Sequence, residues 1–273
     1  MSVNLIQNNF LQSADSVFMK IRYIVLIIFL LYACFEFGLF PLPESKYSQP
    51  DIIAHRGDSE NAPENTLSAF VHAIHRGADT VELDIRETKD GVLIALHDNN
   101  LRRQTGKNCN ITNVTCEQLT GFNICTLEEV FALCKGRIRF LLDLKVPGAE
   151  EKVESLIQKY DLSASCEIAS KDTYTLHKIK EKNQDITTLL LVSSVQDHFF
   201  SKDFAQYKES IDGYSIRSRY ITASLVRFLH RKDKIIYAWT VNSTAEIQRM
   251  RHLGVDGIIT DNLSSFMPDR TQS

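Results

Sequence analysis

The chain has 273 residues, 44% of them hydrophobic and 24% charged, with a formal net charge of −3. That length suits one large α/β domain or two smaller ones, and the composition excludes a disordered or fibrous chain. Scattered charges with a slight acidic excess leave no electrostatic footprint for nucleic acid, so that class of partner is set aside.

The first feature in chain order is apolar. Residues 23–42 read YIVLIIFLLYACFEFGLFPL, about the length a helix needs to cross a hydrocarbon core, with Glu36 the single carboxylate. Residues 1–22 are then expected to form an N-terminal cytoplasmic segment, 23–42 a transmembrane anchor and 43–50 a linker. A domain over 51–267 and a tail over 268–273 complete the chain. Lys20 and Arg22 precede the apolar run, whereas Glu44 and Lys46 follow it. This positive-inside bias puts the domain on the extracytoplasmic side of a single-pass membrane protein. A cleaved signal peptide, a lipoprotein signal on Leu31, Tyr32, Ala33 and Cys34, and a buried helix compete with that reading. The run continues well past any cleavage point, which favours the uncleaved anchor.

Beyond the linker, apolar runs alternate with amphipathic stretches, the pattern of an α/β fold with a mainly parallel sheet. Eight strands are predicted, at 52–55, 80–85, 139–144, 166–169, 187–191, 213–215, 235–239 and 257–260. Helical periodicity covers 66–76, 149–160, 173–182, 222–231 and 244–253. Asn65 or Thr66 can cap the first helix, and Gly77 and Gly254 stand where helices end. Eight strand-then-helix units favour a TIM (β/α)8 barrel over an open doubly wound sheet. No Gly-rich dinucleotide or Walker loop follows any strand, which removes the usual reason for an open sheet.

The six cysteines are Cys34, Cys109, Cys116, Cys125, Cys134 and Cys166, without a CxxC pair, so a zinc site is not expected. In an extracytoplasmic domain, Cys109 could bridge to Cys116 or Cys125 across a polar loop; free buried thiols are the alternative. Asn110 and Asn113 open sequons in that loop, which matter only in a eukaryotic secretory host.

Unusual polar residues gather at the C-terminal ends of predicted strands, where barrel enzymes place their active sites. His55 and Arg56 close the first strand, and Glu82 and Asp84 close the second. Alternation along a strand turns Glu82 and Asp84 to one side, where two unpaired carboxylates would repel and desolvate badly. A hard divalent cation, Mg²⁺ or Ca²⁺, is their natural partner. Asp143 and Lys145 repeat the spacing on the next strand: Asp143 can complete an oxygen-rich metal site, and Lys145 can meet an anionic oxygen. A further strand, 92–96, leads to His97 and Asp98. Taken singly, an ExD or DxK pair is usually an exposed strand face, and HD can simply start a turn. Their shared location at strand ends argues for function. His72, His75, His177, His198, His230 and His252 fall in helical or loop patterns and are read as non-catalytic.

The ordered runs AHRG (54–57), PENT (63–66), ELD (82–84), TKDG (88–91), HD (97–98), TLEEV (126–130), DLK (143–145), WTVN (239–242) and GVDGIITD (254–261) together resemble the glycerophosphodiester phosphodiesterase family. The resemblance extends over residues 51 to about 265. It implies that His55 and His97 are the acid/base pair, that Glu82 and Asp84 are metal ligands, and that Asp143 takes a third ligand position usually held by Glu. It also implies phosphate-holding roles for Arg56 and Lys145, a place at the barrel mouth for Trp239, and support from Glu64. The stretch between His97 and the TLEEV helix is short, so the family's inserted cap reduces to the Cys/Asn loop and the mouth is expected to be open.

Such residue types suit a phosphodiester, which needs a cation to offset its charge and a proton for its poor leaving group. Histidine titrates near neutrality and can both take and give that proton. The resemblance implies glycerol 3-phosphate and an alcohol as products, from a small-molecule glycerophosphodiester. Lysophospholipase D activity on membrane lysolipids is the near alternative, and a non-catalytic barrel binding a phosphorylated ligand is the alternative from another class.

Overall fold

The computed structural model describes residues 22–30, 49–194 and 202–266. Eight parallel strands form a closed barrel: β1 (Asp51–Ala54), β2 (Thr80–Glu87), β4 (Arg139–Leu144), β5 (Cys166–Ser170), β6 (Thr187–Val192), β7 (Gly213–Arg217), β8 (Ile235–Trp239) and β9 (Gly257–Thr260). They pair in the order β1-β9-β8-β7-β6-β5-β4-β2, and a β1–β2 pairing completes the ring. This is the expected TIM barrel. The remaining strand, β3 (Leu93–Ala95), corresponds to the predicted 92–96 and lies outside the ring, antiparallel to the end of β2 with Ile85 opposite Ala95. β2 therefore runs beyond its barrel partners and carries β3 past the rim, which positions His97.

The predicted helices stand within a residue of their expected bounds, at Leu67–His75, Glu150–Lys159, Thr173–Lys182, Ala223–His230 and Thr244–Leu253. Thr66, rather than Asn65, caps the first by accepting from the Ala69 N–H, and Gly254 ends the last in the left-handed region. The TLEEV run opens the helix Leu127–Cys134 with a reciprocal Thr126–Glu129 capping box.

Strand alternation divides the core in two. Val81, Leu83 and Ile85 of β2 and Phe140, Leu142 and Leu144 of β4 face outward under the helices. Ile53, Leu141, Ala169, Leu189, Tyr237 and Ile259 fill the barrel interior. The β2–β4 register sets Glu82 beside Leu141 and Asp84 beside Asp143. Glu82 is thus level with the interior apolar layer, and Asp84 and Asp143 sit one step above it.

Gly57, just after β1, has φ +84°, and a Cβ there would lie 2.7 Å from the Ala69 backbone carbonyl carbon. Gly57→Ala combines left-handed strain with overlap against backbone, so a cost on the order of 2–4 kcal/mol is expected. Thermal unfolding should show a Tm lower by roughly 5–15 °C. An unchanged Tm would contradict this close packing of strand end on helix.

Two expectations change, and a third falls only partly on described residues. All five described cysteines are free thiols, so neither pairing of Cys109 forms. Cys125 instead turns into the core, where burial pushes its pKa up to about 12. The segment between His97 and Leu127 is not a bare polar loop: Leu101, Ile111 and Leu119 pack with Ile94 and Leu96 of the β3 region into a small core of their own. Finally, residues 22–30 form a helix whose apolar side chains, Tyr23 to Leu30, are exposed. The remainder of the predicted span, 31–42, lies outside the described residues, as do residues 1–21, Cys34, most of the linker and the tail. Among the described residues, no helix is long and apolar enough to cross a membrane.

Candidate active site

His55 follows β1, and its N–H donates to the Thr260 carbonyl, extending the β1–β9 ladder by one residue. Its Nδ1 lies 2.6 Å from Asp261 Oδ1, at the corresponding place after β9. Burial opposes ionisation of Asp261, but the His55 and Asn242 contacts hold its pKa below the usual carboxylate value. An ionised carboxylate only accepts, so His55 carries its proton on Nδ1 and presents Nε2 to the cavity, 4.0 Å from Glu82 Oε2. Burial also disfavours a charged His55 ring, yet the Asp261 bond and nearby Glu82 outweigh it and raise its pKa.

Arg56 takes φ +58°, which turns its N–H onto Glu82 Oε2 at 2.9 Å. Its guanidinium is clamped: Nη1 reaches both Glu64 oxygens at 3.0 Å, and Nε lies 3.1 Å from Asp84 Oδ2. That Nε contact lacks hydrogen-bond alignment, so it counts as charge attraction alone. Asn65, also left-handed with φ +56°, donates from Nδ2 to Asp84 Oδ2 at 2.8 Å and accepts from the Asp84 N–H.

Glu82, Asp84 and Asp143 are 5%, 1% and 7% exposed, and their ligand oxygens lie within 4.8 Å of one another. Lys145 bridges two of them, with Nζ 2.6 Å from Asp143 Oδ2 and 3.0 Å from Asp84 Oδ1. Burial, then the charge of Asp84, pushes the pKa of Glu82 up to about 8. Burial likewise raises Asp143, whereas Lys145 and Arg56 overcome burial at Asp84 and lower it. Two cations thus do not suffice to keep three buried carboxylates ionised together. The cluster fits a further positive charge, and an all-oxygen set of this kind suits a hard divalent cation.

On the far side of β2, His97 Nδ1 lies 2.8 Å from Asp98 Oδ1. Arg103 donates from Nε to Asp98 Oδ2 at 2.7 Å and from Nη2 to Glu64 Oε1 at 2.6 Å. One chain of contacts therefore runs His97–Asp98–Arg103–Glu64–Arg56–Asp84 around the rim. Trp239 closes the opposite side, its Nε1 donating to the Ser215 carbonyl at 3.0 Å.

Eight of the nine sequence-predicted site residues line one cavity of about 270 Å³ at the C-terminal end of the barrel. Glu64 stands behind Arg56 and does not line it. Two histidines, a carboxylate cluster and two cations at that end suit displacement at an anionic ester. The model of the Glycerophosphoryl diester phosphodiesterase family matches residues 55–265. The chain belongs to this family. A glycerophosphodiester phosphodiesterase of Bacillus altitudinis is 34% identical over 241 residues, covering 80% of this chain and 95% of the relative. Lysophospholipase D GDPD1 of Rattus norvegicus is 26% identical over 259 residues, covering 77% of this chain and 82% of the relative. The crystal structure of a glycerophosphodiester phosphodiesterase from Thermotoga maritima is similar with a TM-score of 0.71 at 27% identity, covering 81% of this chain and 99% of that one.

As a member of the glycerophosphodiester phosphodiesterase family, the chain is a phosphoric diester hydrolase of small-molecule glycerophosphodiesters, and the non-catalytic barrel is set aside. Several residues complete the site without standing out in the sequence. Asp261 and Asn242 lie within the runs GVDGIITD and WTVN, and Asn242 Nδ2 holds Asp261 Oδ2 at 2.8 Å. Asp98 and Asn65 lie in HD and PENT, beside residues given roles. Arg103 belongs to no such run; its signal would have been a cation a few residues after His97, in the single turn Arg102–Thr105. Arg56 and Lys145, expected to hold phosphate, are found on carboxylates.

Proposed function

We propose that the enzyme hydrolyses glycerophosphodiesters by acid/base catalysis between His55 and His97, with one divalent cation, Mg²⁺ or Ca²⁺, held by Glu82, Asp84 and Asp143. The observation that carries this reading is the convergence of both histidines and all three carboxylates on one cavity. A bound cation would supply charge to offset the phosphodiester and its transition state. The chain's own residues do the rest. His55, deep beside Glu82 with its Nδ1 proton fixed by Asp261, takes a proton onto Nε2 from the attacking hydroxyl, of water or of the substrate's glycerol. His97 is more exposed, 38% against 18% for the two side chains, and gives a proton to the departing alcohol oxygen at the rim. Asp98 keeps its ring oriented, and Arg103 ties that ring to Arg56 through Glu64.

Asp261→Asn keeps the shape but not the charge that orients and raises His55. We expect kcat lower by about ten- to a hundredfold, with the acid limb of the pH–rate profile moved to lower pH, because the base form of His55 then persists further down. A limb that moves upward would contradict the role given to Asp261.

Lysophospholipase D activity is the second reading, favoured by the rat relative of that name and by the exposed apolar helix of residues 22–30. With it goes a single-pass tether over 23–42 and an extracytoplasmic domain, for which Lys20 and Arg22 ahead of the run are the support. Protease protection of the domain in intact cells would overturn that orientation. Turnover of glycerophosphoglycerol against that of lysophosphatidylcholine separates the two activities. Release of glycerol 3-phosphate from the soluble diester is expected, and turnover of the lysolipid alone would sink the first reading.

A further inference from the structure

The cavity has two unlike walls. Along β1, β2 and β4 the cations are committed, Arg56 to Glu64 and Asp84, and Lys145 to Asp84 and Asp143. The facing wall carries Lys171 after β5, Arg217 at the end of β7 and Trp239 at the end of β8. Arg217 pairs in register with Trp239, and its guanidinium lies over the indole, 4.9 Å from the ring centroid. Among the described residues, neither Lys171 nor Arg217 is in a salt bridge with a carboxylate, although the charge of Lys171 reaches Asp143 and favours its ionised form. Glu246, which shares a neighbouring hollow with Arg217, is engaged by the Ser218 hydroxyl at 2.5 Å.

Two cations on one wall of a concave site, in no salt bridge among the described residues, create a positive potential that low-dielectric surroundings focus inward. The exposed face of a tryptophan is the usual platform for a quaternary ammonium, but here a guanidinium already covers it. An alcohol such as choline would thus meet two like charges and an occupied ring. Arg217 is moreover ordered by its stacking, which lowers the entropy lost when it takes a bidentate anion.

We propose that Lys171 and Arg217 form a subsite for a second phosphate on the alcohol side of the substrate, so that the preferred glycerophosphodiester carries an anionic alcohol. This rests on the reading of His55, His97 and the carboxylate cluster as the reacting centre. The phosphate undergoing cleavage lies against that cluster, and the alcohol crosses the cavity to the β5–β8 wall. A distal phosphate meets Lys171 as a point charge and Arg217 through its fork.

The test measures kcat/KM for three glycerol esters with cation present: bis(glycerophospho)glycerol, whose alcohol bears a second phosphate, glycerophosphoglycerol, whose alcohol is neutral, and glycerophosphocholine. Wild-type enzyme is expected to favour the first over the second by about tenfold or more, beyond the factor of about two for its two equivalent ends, and to use the choline ester least. In Lys171→Gln/Arg217→Gln the ratio of the first to the second should fall toward that statistical value. Added salt should lower the wild-type ratio. A wild-type ratio near the statistical value, or one unchanged in the double variant, overturns the subsite. The wild-type ratios decide the matter alone if the double variant does not fold. Failure of wild-type enzyme to cleave any of the three overturns the underlying reading of the reacting centre, a result distinct from cleavage without preference.

Discussion

His97→Ala is expected to lose about 10³-fold in kcat on a glycerophosphodiester with an alkyl alcohol, but only about tenfold on one with p-nitrophenol as leaving group. An alkoxide leaves poorly and needs a proton as the P–O bond breaks, whereas nitrophenolate departs as a stable anion. Position makes His97 the candidate acid. It sits at the rim on the strand-end extension that β3 provides, in the same cavity as the carboxylates but more exposed than His55. An equal loss on both substrates would move the acid role elsewhere. A His55→Ala enzyme should show no such dependence on leaving group, because removing the base affects the attacking oxygen in both reactions.

Exhaustive chelation should lower kcat/KM by at least about 10³-fold, with recovery on adding Mg²⁺ or Ca²⁺. The pH dependence is also fixed in sign. Without the cation, burial and then Asp84 keep Glu82 protonated up to about pH 8, far above an ordinary carboxylate. The folded state therefore holds a proton that the unfolded chain releases, so the cation-free protein should lose stability as pH rises from the ordinary carboxylate range toward 8. A bound cation would take the place of that proton. Apparent affinity should climb with pH below about 8 and level off above it, with proton release detectable by calorimetry in buffers of different ionisation enthalpy. Activity that survives chelation, or affinity that falls as pH rises, would refute a metal site on Glu82, Asp84 and Asp143.

Much of this site was legible because strand geometry is periodic. Glu82 and Asp84 share a face by alternation alone, and the register that sets Asp84 beside Asp143 follows from neighbouring parallel strands. The eight barrel strands and five helices came from the same regularity. What periodicity does not encode is pairing at a distance. Asp261 orients His55 across 206 residues, and nothing local to either marks the partnership. Arg103 belongs to a single helical turn, too short to show a pattern, yet it joins His97 to Arg56. The choice between cysteine bridges and free thiols stayed open in the sequence for a related reason: the direction of Cys125 is set by core packing. Arg56 and Lys145 show a further limit, since sequence identifies a cation at a strand end but not the carboxylate it settles on.

The most direct measurement of His55 as a base acting within the carboxylate-lined cavity is glycerol 3-phosphate release by wild-type and His55→Ala enzyme at saturating Mg²⁺ or Ca²⁺. A fall of about 10³-fold in kcat, with thermal unfolding unchanged, is the predicted result. Equal turnover by the two proteins would contradict it.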